Sequence, residues 1–169
     1  MFDRIVASHG LRPADIELEL TETAAMEDRS RTIELFQELR AEGFGIAIDD
    51  FGNGHSNLSY LKGLPFTKLK IDREFISHVD TDSGSEAICK ALIELGRGLG
   101  ISVLAEGVER HEEVATLRRL GCHVFQGFYF ARPMSADQVT EKLSDPDWLA
   151  LIGSDVHRSR AELQRRIVS

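Results

Sequence analysis

Two adjacent carboxylates in the first third of the chain are the residues best suited to chemistry. Asp49 and Asp50 follow an apolar stretch that begins at Phe44, and they precede the glycine-rich segment 52–54. Neighbouring carboxylates repel each other, and a divalent cation between them relieves that repulsion. An isolated pair usually has a simpler explanation, in which Asp50 caps the next turn and Asp49 is solvated. The apolar stretch before the pair and the glycines after it favour a metal site.

Four further apolar stretches also end in polar residues. They end at Glu19, at Lys70 followed by Asp72, at Glu106 and at Gln126. So many carboxylates close together would destabilise the fold unless cations compensated them. Oxygen donors without histidine or cysteine select a hard ion, namely Mg²⁺, Mn²⁺ or Ca²⁺.

This combination of residues indicates chemistry at phosphorus. Two bound ions could share Asp49 as a bridging ligand and hold a hydroxide against a phosphate ester. Lys70 would neutralise phosphate oxygens or position the attacking water. Each residue also has a structural alternative, such as a helix cap or an ion pair between Lys70 and Asp72. Five stretches that end alike make those alternatives the weaker explanation.

Helices and short apolar strands alternate along the chain. Helices are predicted to end at glycines, Ser30 and Ser135 are predicted helix caps, and the clearest helix carries Ile88, Leu92, Leu95 and Leu99. Strands are predicted at 16–20, 44–50, 68–72, 101–106 and 122–126. This alternation predicts an α/β fold with a parallel sheet, either open or closed into a (β/α) barrel. The polar strand ends favour a barrel, since only there do they all meet at one mouth.

Length and composition narrow the possible functions. The 169 residues, 42% of them hydrophobic, suffice for one domain with a substantial core. The net charge of −8 argues against a partner such as DNA or RNA. No apolar run reaches transmembrane length and no signal peptide is evident, so we expect a cytoplasmic protein without membrane insertion. Cys89 and Cys122 fit no metal spacing and are predicted to be buried free thiols.

Five motifs stand in a fixed order along the chain. They are ELTE at 19–22, DDFGNG at 49–54, KLKID at 68–72, AEGVE at 105–109 and QGF at 126–128. Together they resemble the EAL domains, bacterial phosphodiesterases that linearise the second messenger cyclic di-GMP to pGpG. The resemblance covers residues 1–145, and residues 146–169 would form a helical C-terminal extension.

The resemblance implies metal ligands among these residues. Glu19 and Asp49 would bind the first of two Mg²⁺ or Mn²⁺ ions. Asp49 and Asp50, together with Glu106, would bind the second.

The resemblance also implies catalytic roles. Lys70 corresponds to the family's essential lysine near the nucleophilic water, and Asp72 lies close to it. Gln126 corresponds to a glutamine that faces the site. Glu109 corresponds to a glutamate that steadies the loop after Asp50.

The chain also departs from the family pattern. It contains no Glu-Ala-Leu tripeptide, and an asparagine ligand on the next strand is missing as well. A complete barrel takes about 250 residues, so this is a partial TIM-like (β/α) barrel with about five of eight strands. Asn53 and His55 replace a threonine and an aromatic residue in the loop after Asp50. We therefore expect the chain alone to hydrolyse cyclic di-GMP poorly or not at all.

Three functions remain open at this point. The retained site residues favour a metal-dependent cyclic di-GMP phosphodiesterase, here truncated. The missing ligands favour an inactive module that binds a ligand or a protein. An unrelated barrel enzyme that uses Mg²⁺ on a carboxylate substrate is disfavoured by the order of the motifs. Because an unclosed arc of strands has two open edges, self-association is also predicted.

Overall fold

Five parallel strands form one sheet in the order in which they occur in the chain. The structure, a computed structural model, describes residues 2–27, 29–52, 61 and 63–149. The strands are β1 Glu17–Thr21, β2 Gly45–Phe51, β3 Lys68–Ile71, β4 Ser102–Glu106 and β5 Val124–Gln126. The predicted α/β fold with a parallel sheet is thus confirmed, and each predicted strand lies within two residues of an observed one.

Within the described ranges, helices precede, connect and follow the strands. They are α1 Phe2–Ser8, α2 Glu22–Glu27, α3 Arg29–Glu42, α4 Arg73–Ile76, α5 Ser83–Leu99, α6 His111–Leu120 and α7 Ala136–Leu143, with a 3-10 turn at Pro13–Asp15. Gly100 and Gly121 end α5 and α6 with φ of 70° and 100°, a conformation that glycine adopts without strain. Ser135 caps α7 as predicted, because its side chain accepts a hydrogen bond from the Gln138 N–H. The cap predicted at Ser30 is wrong, since Ser30 lies inside α3 and a cap residue has a non-helical backbone.

The two faces of the sheet differ in chemistry because successive side chains of a strand point to opposite sides. The face covered by helices is apolar and fully buried, and it includes Ile46, Ile48, Leu69, Ile71 and Ala105. The other face, here called the inner face, carries the residues Glu17, Glu19, Ala47, Asp49, Lys68, Lys70, Leu104, Glu106 and Gln126. The hydrophobic core therefore lies between sheet and helices, and the charged residues lie on the opposite face.

Helix α5 packs with a different face from the one predicted. Its buried residues are Cys89, Leu92, Ile93 and Gly96. Ile88 and Leu99, two of the four residues whose helical spacing indicates an apolar face, are each 41% exposed. A Cβ on Gly96 would lie 2.2 Å from Cγ2 of Val103, so the helix approaches β4 through its glycine. Because of that close approach, the buried face of α5 lies about one residue away from the face that the sequence predicted.

Both cysteines are free and buried, as predicted. Burial raises the pKa of the Cys89 thiol to about 12 and also raises the pKa of Cys122. No helix within the described ranges is both long and apolar enough to cross a bilayer.

The chain divides into two compact units, residues 1–129 with the whole sheet and residues 130–169 with α7. Within the second unit, the Trp148 side chain donates a hydrogen bond to the carbonyl of Phe130 at 3.3 Å. The predicted boundary after residue 145 rested on the family resemblance and stays a prediction. The helix predicted over residues 158–166 and the loop substitutions at 53 and 55 lie outside the described residues.

The sheet has β1 and β5 as its edges. Self-association through these edges stays a prediction. The inner face exposes little apolar surface that would drive self-association. On this face of the described strands, Leu104 is 8% exposed and Val124 is 38% exposed.

The start of α5 gives a pH-dependent contribution to stability. The carboxylate of Asp82 accepts the N–H of Ser85 at 2.7 Å, and this hydrogen bond lowers the pKa of Asp82. The contribution is present above the unfolded pKa of about 4 and is lost as pH falls through the lower folded value. We expect Asp82→Asn, which keeps a cap but gains no proton, to flatten the fall in melting temperature below pH ~4. Thermal melts of both proteins at several acidic pH values test this, and parallel profiles would contradict it.

Candidate active site

Three carboxylates of the inner face converge on one ammonium group. The Nζ atom of Lys70 lies 2.9 Å from Glu19 Oε2, 3.0 Å from Asp49 Oδ1 and 2.9 Å from Glu106 Oε2. We call these four residues the Lys70 cluster. Burial of Lys70 lowers its pKa, but hydrogen bonds to Glu106, Glu19 and Asp49 outweigh burial and raise it above the ordinary lysine value. The lysine therefore carries its charge at any physiological pH.

The register of the strands explains how this cluster forms. Lys70 on β3 and Glu19 on β1 are not on neighbouring strands, because β2 lies between them. Ala47 of β2 is paired with Glu19. Its methyl group leaves room above β2 for the two long side chains to meet. Asp49 and Glu106 are at the carboxyl ends of β2 and β4, where side chains of a parallel sheet reach a common site.

Asp50 lies next to the cluster in an unusual backbone conformation. Its φ of 55° is in the left-handed region, and its N–H donates to Asp49 Oδ1 at 3.0 Å. Burial, with the negative charges of Asp49 and Asp72, raises the pKa of Asp50. A carboxyl group under such repulsion is suited to a cation.

Asp72 has a clear structural role. Its carboxylate accepts the N–H of Glu74 at 2.7 Å and caps α4. The alternative of an ion pair between Lys70 and Asp72 is not what the structure shows, because Lys70 pairs with the cluster carboxylates. Asp72 nevertheless lies close enough to Asp50 to affect its pKa.

Gln126 and Glu109 lie around a shallow cavity of about 200 Å³. The amide of Gln126 approaches Glu106 Oε1 at 3.4 Å, and Glu109 forms an ion pair with Arg73 at 2.8 Å. The cavity is lined by Arg73, Glu106, Gly107, Glu109, Gln126, Gly127 and Phe128. The role predicted for Glu109 concerns a loop that, beyond Gly52, lies outside the described residues.

Three further charged residues shape this region and were not assigned roles from the sequence. Glu22 is 5% exposed and accepts the N–H of Gly52, so it holds the chain just after Asp50. Glu113 accepts the N–H groups of both residues before α6, and Arg73 pairs with Glu109. The sequence gives no standard signal for Glu113, because a capping box normally begins with serine or threonine and the residue before α6 is Arg110.

The donor atoms at this site fit a hard divalent cation. Glu19, Asp49, Asp50 and Glu106 offer carboxylate oxygens, which Mg²⁺ and Mn²⁺ prefer. Within the described part of the chain, no three His, Cys, Asp or Glu side chains are already gathered as a metal centre. Three of these carboxylates are instead directed at the Lys70 ammonium, so a metal ion would share its ligands with that group.

Comparison with known proteins identifies the family. The model of the EAL domain matches residues 1–133. The chain therefore belongs to the EAL domain family.

Among characterised relatives, the chain is similar to MucR of Pseudomonas aeruginosa, described as a bifunctional diguanylate cyclase/cyclic di-GMP phosphodiesterase. The two are 47% identical over 131 residues, which is 78% of this chain and 19% of MucR. The chain thus spans about a fifth of the length of the curated relatives that it matches.

Solved structures support the same assignment. The MucR phosphodiesterase in complex with c-di-GMP is 46% identical, with a TM-score of 0.76 over 80% of this chain and 55% of that chain. The EAL domain of Mycobacterium smegmatis DcpA is 36% identical, with a TM-score of 0.80 over 85% of this chain and 64% of that chain. A manganese/c-di-GMP complex of Klebsiella pneumoniae BlrP1 is 36% identical, with a TM-score of 0.74 over 78% and 34%. The predicted partial TIM-like barrel is confirmed by these likenesses.

Proposed function

We propose that this chain forms the catalytic part of a metal-dependent phosphodiesterase that hydrolyses cyclic di-GMP to linear pGpG. The observation that carries the proposal is the Lys70 cluster, in which three carboxylates from three strands meet one buried lysine. Relatives of this chain are solved with manganese and c-di-GMP, which supports a divalent ion and this ligand. The acidic site and the anionic substrate would repel each other without such an ion.

The roles of the residues follow from their contacts. Mg²⁺ or Mn²⁺ bound by Glu19, Asp49, Asp50 and Glu106 would supply the positive charge that polarises a phosphodiester and activates water. Lys70 keeps the carboxylates oriented toward the centre of the site and offers a permanent cation to phosphate oxygens. Gln126 orients Glu106, while Glu109 keeps Arg73 at the rim of the cavity. The exposed ring of Phe128 offers a surface on which a base can stack.

The second candidate function is an inactive module that binds a ligand or a protein partner. One observation favours it. Within the described residues, three of the carboxylates proposed as metal ligands contact the Lys70 ammonium and are not gathered as a metal centre. The phosphodiesterase and the binding module would use the same surface. A measurement of catalysis therefore distinguishes them, whereas a measurement of binding alone does not.

Calorimetric titration with Mn²⁺ tests the metal site. We expect wild-type chain to bind Mn²⁺ and Asp49→Asn to bind it at least about tenfold more weakly, because a ligand oxygen loses its charge. Glu94→Gln is the matched control, since Glu94 pairs with Arg97 on the surface of α5. Equal affinity in Asp49→Asn and wild type would remove Asp49 from the site.

Incubation with cyclic di-GMP and chromatography of the products separates the two functions. Production of pGpG that requires Mn²⁺ supports the phosphodiesterase and overturns the expectation of weak or absent activity. Binding of cyclic di-GMP without pGpG supports the binding module.

A further inference from the structure

A second ion pair lies on the inner face, two residues before the Lys70 cluster. Lys68 Nζ is 2.6 Å from Glu17 Oε1, and the two side chains are 22% and 32% exposed. Glu17 precedes Glu19 by two positions on β1, and Lys68 precedes Lys70 by two positions on β3. Since alternate residues of a strand point to the same side, the two lysine–glutamate pairs stand one behind the other.

Both pairs cross above β2 and depend on its small residues. Gly45 is paired with Glu17, and Ala47 is paired with both Glu19 and Lys68. A Cβ on Gly45 would lie 3.4 Å from Cγ of Glu17, in van der Waals contact with that side chain. The sequence of β2 is therefore suited to letting side chains from its two neighbours meet above it.

Among the described side chains of this face, both pairs link the edge strand β1 to β3. β1 is hydrogen-bonded to β2 and forms the edge of the sheet. Glu19 is 47% exposed, so its own surroundings restrain it weakly. When Glu19 turns toward another cation, its contact with Lys70 weakens, and Lys68–Glu17 remains as a direct link from β1 to β3.

We propose that the Lys68–Glu17 ion pair is a positioning pair, which holds β1 so that Glu19 keeps its place beside Lys70 and Asp49. The part of the inference that concerns metal affinity rests on the proposed function, in which Glu19 is a ligand. The part that concerns the Glu19–Lys70 contact stands on the geometry of the metal-free protein. A partly exposed pair contributes little to stability, so its effect is expected at the site rather than in the melting temperature.

Mn²⁺ affinity provides the first test. Lys68→Met removes the pair and should weaken Mn²⁺ binding by about tenfold, the loss typical of residues that orient metal ligands. The double variant Glu17→Lys with Lys68→Glu restores the pair in reverse and should recover most of the affinity. Lys90→Met on the exposed side of α5 is the control. An unchanged affinity in Lys68→Met with a lowered melting temperature would show a merely structural pair and overturn the proposal.

The side-chain ammonium signal of Lys70 in ¹⁵N NMR spectra provides a second test without metal. Such signals are observed when an ammonium is buried and hydrogen-bonded, so wild type should show one and Lys68→Met should shift or broaden it. The double variant with the reversed pair should restore the wild-type signal. Glu17→Gln removes the ion pair with little change in side-chain shape, so it should have the same effect as Lys68→Met. If wild type binds no Mn²⁺, the proposed function fails while this measurement still decides the positioning role. A Lys70 signal identical in all variants would overturn it.

Discussion

Replacing Lys70 by methionine should destabilise the metal-free protein by about 2–3 kcal/mol, somewhat below the cost of breaking a fully buried pair. The substitution removes the charge that Glu19, Asp49 and Glu106 share and leaves three carboxylates facing one another. The effect is reduced because these carboxylates are partly open to water. Urea unfolding in the presence of EDTA measures the change in the free energy of unfolding.

Divalent ions should then restore part of the stability that Lys70→Met loses. Mn²⁺ carries two positive charges to the place from which one was removed, and it binds the folded state. Lys90→Met, on the surface of α5, should change stability by less than about 0.5 kcal/mol. If Lys70→Met were as stable as wild type in EDTA, the carboxylates would not depend on the lysine.

Replacing Gly127 by alanine should be at least as damaging, for a steric reason. A Cβ at this position would lie 2.1 Å from the carbonyl oxygen of Val108 and 2.4 Å from its nitrogen. Both atoms are also hydrogen-bonded, since the Val108 N–H donates to Gln126 and its carbonyl accepts from Tyr129. The backbone after β4 and the backbone after β5 must then separate. We expect a loss of about 3 kcal/mol and displacement of Gln126 from Glu106.

Gly98→Ala is the matched control for this substitution. Gly98 lies inside α5, and a Cβ there would meet nothing within 4 Å. Because alanine favours helix over glycine, this variant should gain about 0.5–1 kcal/mol. Thermal and urea unfolding of both variants give the comparison. Equal effects at the two positions would contradict the close backbone approach at Gly127.

The sequence predicted the features that depend on local patterns. The apolar run before Asp49 identifies a buried strand, and Ile46, Ala47 and Ile48 are all buried. Gly100 and Gly121 mark helix ends because few other residues adopt their backbone conformation. Because the strands are parallel, their polar carboxyl ends all lie at the same end of the sheet, as the alternation of helices and strands predicted.

The features that sequence analysis missed depend on contacts between distant segments. The buried face of α5 is set by Gly96 against Val103, and helical spacing alone does not reveal such a close approach. The sequence suggests an ion pair between Lys70 and Asp72, because the two are close neighbours in the chain. In the structure Lys70 contacts Glu19, which lies 51 positions away in the sequence. The contact requires a particular register and a small residue on the strand between.

The two stacked lysine–glutamate pairs have a consequence for how accurately the first strand joins the sheet. Sliding β1 along β2 by one residue would turn its glutamates toward the helices, and burial of charge excludes that error. Sliding by two residues keeps every side chain on its proper face, so alternation of polar and apolar residues offers no protection against it. Lys68–Glu17 and Lys70–Glu19 both join residues 51 positions apart. After a two-residue slip that puts Glu19 in the place of Glu17, Glu17 would lose Lys68, and Lys70 would keep only two of its three carboxylates. The ion pairs therefore act against a misfolded pairing that the hydrophobic pattern permits.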